Sequence, residues 1–230
     1  MKINGFQKMT LLDFPSKVAC TIFTAGCNFR CPFCHNASLV THINEDTAFS
    51  EEEILEYLSK RQGLLEGVCI TGGEPLINAD IGSFVAKIKA LGFAVKVDTN
   101  GSFPERLKEL IDSGNVDYVA MDIKNSKEKY ALTAGTDNFS LENIEKSVGI
   151  LKNSDIDYEF RTTIVDGFHT VEDIASIGEW IKGAKGYYLQ NFVDSGDLIE
   201  NGLESINSTE LYKMQQIASQ FVVKTEIRGI

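Results

Sequence analysis

The sequence predicts an α/β protein, a partial (β/α)6 barrel of parallel strands in the style of a TIM barrel. Short β-rich runs alternate six times with amphipathic helical stretches, and a helix between two strands returns the chain to run parallel to its predecessor. Right-handed crossovers then curl the sheet. The chain is 230 residues long, whereas eight such units need about 250, so six units are expected. No repeat period, low-complexity segment or linker divides it. Residues 1–230 therefore read as one domain, with a core over about 17–192 and a C-terminal helix and strand-like segment over about 207–230.

The elements follow in order. "VACTIF" (Val18–Phe23) is an apolar, partly β-branched run that predicts a buried strand. Ser50 and Glu53 form a capping-box pattern before a helix whose Ile54, Leu55 and Leu58 share one face. "GVCIT" (Gly67–Thr71) is the second strand, and Ile81, Phe84, Val85, Ile88 and Leu91 mark a helix over Asp80–Leu91. "FAVKVDT" (Phe93–Thr99) is the third strand, followed by a helix stopped at Gly114. "VDYVAMDIK" is the fourth, before a helix from about Ser140 to Lys152. "YEFRTTIV" (Tyr158–Val165) is the fifth, with a helix from Thr170 through Trp180, and "GYYLQNF" the sixth. Leu211, Met214, Ile217, Ala218 and Phe221 mark a last helix ahead of "FVVKTEIRG".

A net charge of −11 argues against nucleic-acid binding, which needs a basic face. No run reaches the roughly 18 apolar residues of a membrane span, and the N-terminus is too polar for a secretory signal. Cytoplasmic localisation is expected. Five cysteines in a chain of this size do not make a disulfide scaffold; clustered thiols instead suggest metal or chemistry.

Three of those cysteines, Cys27, Cys31 and Cys34, lie in "CNFRCPFCHN" directly after the first predicted strand. With His35 they could close a Cys3His zinc site. Alternatively three thiolates hold a [4Fe–4S] cluster with one iron left open for a ligand. "TGGEP" (Thr71–Pro75) follows the second strand, pairing two glycines suited to close backbone approach with one carboxylate and a turn-fixing proline. Glu74 could accept from an ammonium, or be a solvated turn residue. "TNG" follows the third strand and "IKN" the fourth, so all four motifs fall on the strand ends where α/β barrels gather their chemistry. Asp98 could simply shape a turn, and Asp122 with Lys124 a plain ion pair. Arg161 could be structural. Cys20 and Cys69 read as small buried side chains, His42 and His169 as solvated loop residues. Tyr187, Tyr188 and Phe192 read as strand packing, with the rim near Gln190 able to touch an adenosine.

The Cys-x3-Cys-x2-Cys spacing, with Phe33 before the last cysteine and GGEP one strand later, resembles the radical S-adenosylmethionine (radical SAM) enzymes. "CHN", "DTNG" at 98–101, "DIK" at 122–124 and Arg161 in "FRTTIV" resemble their glycyl-radical-enzyme activases. The stretch "TLLDFPSKVACTIFTAGCNFRCPFCHN" is most similar to the branch named anaerobic ribonucleoside-triphosphate reductase activating proteins, and the likeness runs from about Thr10 to Phe192.

That resemblance implies one three-cysteine [4Fe–4S] cluster, SAM, reductive cleavage of SAM, and hydrogen abstraction from a glycine Cα of a partner enzyme. Cys27, Cys31 and Cys34 would hold the cluster, with Gly72, Gly73, Glu74 and Pro75 at the methionine end of SAM. Phe33, Asn36, Asp122, Lys124 and Arg161 would line the SAM site, Lys124 and Arg161 among the catalytic groups. Asp98 would hold a monovalent cation beside the SAM carboxylate, with nearby backbone oxygens helping. Activases of this type carry a histidine near the position of Gln190, and this chain has "LQNF" instead. No further cysteine cluster follows Cys34, so a flavodoxin or ferredoxin is the expected electron donor. The expected partner is a glycyl radical enzyme, foremost anaerobic ribonucleotide reductase. A small-molecule radical SAM enzyme and a non-catalytic zinc or iron–sulfur module are the alternatives.

Overall fold

A computed structural model describes residues 1–44 and 48–229. Its strands form one eight-stranded sheet in chain order. Strands β2 (Ala19–Thr24), β3 (Gly67–Gly72), β4 (Ala94–Thr99), β5 (Tyr118–Asp122), β6 (Asp157–Ile164), β7 (Tyr187–Asn191) and β8 (Thr225–Arg228) run parallel. The first six of these are the predicted run, and β8 adds the "KTEIR" segment beyond β7. β1 (Ile3–Thr10) pairs antiparallel with β2 at the opposite edge. β1 and β8 are not neighbours, so the sheet curls without closing, a partial barrel.

Sequence reading missed β1 because "INGFQKMT" is mostly polar and half exposed. An edge strand has a partner on one side only and needs no continuous apolar run. Two five-residue helices, α1 (Ala37–Thr41) and α5 (Tyr130–Ala134), were also unforeseen, being too short for a helical period to register.

The longer helices are built as their sequences suggest. In α2 (Glu51–Ser59) the Ser50 hydroxyl accepts from the Glu53 N–H at 3.1 Å, and the Glu53 carboxylate accepts from the Ser50 N–H at 2.8 Å. A Thr170–Asp173 box opens α7 (Val171–Trp180) in the same way. α3 (Ile81–Ala90), α4 (Pro104–Asp112), α6 (Leu141–Lys152) and α8 (Ser208–Ala218) complete the outer layer. Their apolar faces, such as Ile81, Phe84, Val85 and Ile88 of α3, are buried against the sheet in one continuous core.

Strand alternation then decides what faces inward. On β4, Val95 and Val97 join the core under the helices, while Lys96 and Asp98 bond to one another on the other face. On β6, Glu159 and Arg161 likewise bond to charged neighbours across the concave side. The barrel interior is therefore ionic where the outer layer is apolar.

Candidate active site

At the carboxyl ends of β2–β7 lies a cavity of about 220 Å³. From the β2 exit it is lined by Cys27, Cys31, Phe33, Cys34 and Asn36, and from β3 by Gly72 and Gly73. Asp98, Asp122, Lys124, Arg161 and Gln190 complete the far wall. The ends of six strands thus bring most of the residues singled out from sequence to one place. Glu74 and Pro75 are the exceptions and do not line it. A larger groove of about 1450 Å³ lies at the opposite strand ends between α4, α6 and residues 14–17. It contains no cysteine and none of the singled-out residues, so the smaller cavity is the chemically equipped one.

The cysteine loop is braced from several sides. The Arg30 N–H donates to the Ala134 carbonyl at 2.9 Å, and the Arg30 guanidinium donates to the Cys27 carbonyl at 2.7 Å. The Glu200 N–H donates to the Pro32 carbonyl at 2.9 Å, so the segment after β7 holds the loop from above. All three thiols are unpaired. Burial pushes Cys27 up to about 12 and Cys31 up to about 11, and Cys34 is raised by burial as well. They stand as neutral thiols, and a metal binding there would displace their protons.

The two glycines of "GGEP" let the β3 exit lie directly against the cysteine loop while their backbone lines the cavity. A Cβ on Gly73 would lie 2.0 Å from the Gly26 carbonyl oxygen, and one on Gly72 (φ +109°) would lie 2.5 Å from the Thr24 backbone. Across that contact the Gly73 N–H donates to Thr24 and the Glu74 N–H to Gly26, both at 2.8 Å. The Asn36 amide donates back to the Gly72 carbonyl at 3.1 Å.

The Glu74 carboxylate points away from the cavity and is fully buried. Oε1 accepts from the Leu76 N–H at 2.9 Å and the Thr99 hydroxyl at 2.8 Å, while Oε2 accepts from the Asn100 N–H at 2.6 Å. This replaces the expectation of an ammonium partner for Glu74: its oxygens are committed to the β3 and β4 exits. Burial pushes its carboxyl up to about 7, against the pull of those donors. Asn100, held by Glu74, donates its amide to Asn28 at 2.9 Å and to the Cys27 sulfur at 3.8 Å. Glu74→Gln would set an amide N–H against the Asn100 N–H or the Leu76 N–H. The expected cost is about 1–3 kcal/mol, read as a lower chemical-denaturation midpoint, and an unchanged midpoint would contradict this wiring.

Across the far wall runs a chain of alternating charge. Lys124 Nζ lies 3.0 Å from Asp122 Oδ2, and Arg161 Nη2 lies 3.0 Å from Asp122 Oδ1. Arg161 Nη1 lies 3.1 Å from Asp98 Oδ2, and Lys96 Nζ bonds Asp98 Oδ1. Asp122 and Arg161 are register partners on β5 and β6. Burial alone would raise the Asp122 carboxyl, but Arg161 and then Lys124 bring it down to about 2. Asp98 is lowered in the same way by Arg161 and Lys96, and Lys124 is raised by Asp122 despite its burial.

The Radical SAM superfamily profile matches residues 21–181. The chain belongs to the radical SAM superfamily. It is 32% identical, over 99% of its length and 96% of the relative's, to a Methanocaldococcus jannaschii protein named "Putative glycyl-radical enzyme activating enzyme". A Thermococcus kodakarensis protein named "Probable GTP 3',8-cyclase" is 32% identical over 56% of this chain and 42% of its own. Among solved structures, a domain of a pyruvate-formate lyase-activating enzyme from Bacteroides vulgatus is similar with a TM-score of 0.58 at 19% identity, covering 71% of this chain and 99% of that one. Streptococcus suis SuiB bound to its precursor peptide gives a TM-score of 0.70 at 14% identity, over 91% of this chain and 48% of that one. These two likenesses are of fold.

Radical SAM membership implies a [4Fe–4S] cluster and SAM, and the donor set fits them. The three thiols line one cavity, and among the described residues no carboxylate oxygen is bonded to any of them. A four-iron cluster takes each thiolate at a separate corner. His35 does not join the thiols; its ring stacks on Phe192 at 5.6 Å and 23°. The monovalent cation expected at Asp98 does not fit, because both carboxylate oxygens already bond Lys96 and Arg161.

The sequence reading also overlooked residues of this radical SAM site. Lys96 escaped notice within "FAVKVDT", although a lysine two before an aspartate in an apolar strand was the available signal. His169 is buried rather than solvated. Its Nδ1 accepts from the Val165 N–H at 3.2 Å, and its Nε2 lies 2.9 Å from the Lys124 carbonyl, which fixes Nε2–H as the donor. Phe33 packs edge-on against both Phe168 and His169. His42 is exposed, and Cys20 and Cys69 are fully buried in their strands.

Proposed function

We propose that this protein is a radical SAM activase that installs a glycyl radical on a partner enzyme, anaerobic ribonucleoside-triphosphate reductase or a relative of it. The carrying observation is that three thiols, one ionic wall and one aromatic edge from separate strands share a single small cavity. Full-length likeness to a protein named as an activating enzyme supports the choice of reaction.

In this reading Cys27, Cys31 and Cys34 would hold the cluster at the cavity they line. When bound, the cluster and SAM supply one-electron cleavage of the sulfonium, giving a carbon radical that can take a hydrogen atom. The chain's own residues bind and orient. Lys124 and Arg161 offer donors to the SAM carboxylate, while exposed backbone at Gly72 and Gly73 meets its amino group. Glu74 and Pro75 position that backbone from behind. Asn36 fixes the Gly72 carbonyl, and Phe33 closes the floor under the ligand. Gln190, with the His35–Phe192 stack beside it, borders the adenine end. That stack brings a histidine, His35, to the side of the cavity where "LQNF" carries none.

The whole chain acts as one domain in this proposal, with one cluster, so the electron comes from an outside donor such as a flavodoxin or ferredoxin. No described helix is long and apolar enough to cross a membrane. The loops at 134–138 and 192–205, which hydrogen-bond to the cysteine loop through Ala134 and Glu200, are the surfaces this proposal gives to the protein substrate. A second reading, a small-molecule radical SAM enzyme, is favoured by the partial likeness to proteins named GTP 3',8-cyclase.

The test is electron paramagnetic resonance after anaerobic reconstitution, with SAM and a one-electron reductant. A glycine-centred doublet is expected only when the organism's own anaerobic reductase is added. Formation of 5′-deoxyadenosine with no doublet would move the assignment to the small-molecule reading. One zinc and no sulfide in the reconstituted protein would end both.

A further inference from the structure

We infer that the buried Lys96 ammonium is the resident counter-ion of Asp98, filling the place a soluble monovalent cation would take and giving the cavity wall its positive charge. Lys96 is 2% exposed and does not line the cavity. Its ammonium bonds Asp98 Oδ1, and its other contact is the Cys69 sulfur at 3.6 Å. The Arg161 guanidinium takes Asp98 Oδ2 at 3.1 Å.

A hard cation needs several oxygen ligands. Here the neighbouring carboxylate, Asp122, is already shared by Arg161 and Lys124, and Cys69 offers only a neutral thiol. An alkali ion beside Asp98 would face two positive groups with one shared carboxylate between them. An ammonium is a compact point charge on a flexible stem, and from β4 it reaches the carboxylate two residues on along the same face.

Charge counting shows what this achieves. Asp98, Arg161, Asp122 and Lys124 line the cavity, and their two negative and two positive charges cancel. Lys96 makes the series plus, minus, plus, minus, plus. The five-member chain then carries one net positive charge without exposing a further cation to the ligand. Val95 and Val97 on either side are apolar core residues, and an apolar residue at 96 would avoid the desolvation cost of a buried ammonium. The charge has a use that offsets this cost.

The ligand half of this inference rests on the SAM-binding reading above, so the test has two arms. Melting of the metal-free protein is compared in potassium, sodium and choline chloride at equal ionic strength. Wild type should be indifferent to the cation. Lys96→Ala, which opens a space beside Asp98, should melt lower in choline and recover in potassium or sodium. Lys96→Met, which fills the space, should not recover. In the second arm SAM affinity of the reconstituted protein is measured in the same salts. Wild type should vary by less than about two-fold, and Lys96→Ala in choline should bind at least about ten-fold more weakly, with recovery in potassium or sodium.

A wild-type protein that melts higher or binds SAM more tightly in potassium or sodium than in choline would overturn the inference. So would a Lys96→Ala variant that matches wild type in choline, or that is weakened equally in every salt. If wild type binds no SAM in any salt, the proposed cavity assignment falls, and the ligand half with it. The melting arm still decides whether Lys96 is the counter-ion.

Discussion

Replacing Cys31 with alanine is expected to strip the reconstituted protein of iron while the metal-free protein keeps its cooperative melt. Wild type should carry about four irons and four sulfides, and the variant close to none of either. The two effects separate because the cysteine loop is held by contacts that need no metal. Gly26 accepts from Glu74, Ala134 accepts from Arg30, and Pro32 accepts from Glu200. Cys31 itself is largely buried at 7% exposure within the core cluster. Losing its sulfur leaves a small gap worth about 1 kcal/mol, or roughly 2–4 °C in melting temperature for a chain of this size. A variant that lost its melting transition would show the loop to be part of the folding core. A variant that retained a full complement of iron would remove Cys31 from the proposed ligand set.

The strand–helix alternation was legible because each parallel strand and each outer helix carries its own pattern. Val18–Phe23 is continuously apolar, and Ser50 with Glu53 signals a helix start within four residues. From those elements alone the four motif loops could be assigned to one rim. What one strand cannot reveal is which inward side chain its neighbour sets against it. Arg161 meets Asp98 across 63 residues of sequence, and nothing in "FRTTIV" names that partner. The same reason hid the commitment of Glu74 to Thr99 and Asn100, and the bond from Lys96 to Asp98. His169 looked like a solvated loop residue because its two partners, Val165 and Lys124, sit on different strand exits. β1 was hidden for another reason, since an edge strand can be polar and still pair.

Arg161→Met should be the most destabilising single change in the ionic wall. The guanidinium is 13% exposed and is the only link between Asp98 and Asp122 among the described contacts. Removing it leaves two partly buried carboxylates each with one lysine, and since solvent reaches Asp122 the cost should fall toward the lower end of the roughly 3–5 kcal/mol of a broken buried pair. The melting temperature should fall by on the order of 10 °C. Adding Asp122→Asn should restore part of the loss, because it removes one of the carboxylates left short of positive charge. Acid should tell the same story from the other side. The folded protein holds the Asp122 carboxyl at about 2, below the ordinary value of about 3.9 in an unfolded chain. The unfolded state therefore binds the proton first. The stability that Asp122 contributes is complete above about pH 4 and is lost as the pH falls toward 2. In Arg161→Met the folded value rises toward the unfolded one, so this part of the acid slope should flatten. An Arg161→Met protein that melted within a degree or two of wild type, with its acid slope intact, would mean that Lys96 and Lys124 alone satisfy the two carboxylates. Arg161 would then serve the ligand alone rather than both ligand and wall, and the two carboxylates would not depend on it for their charge balance.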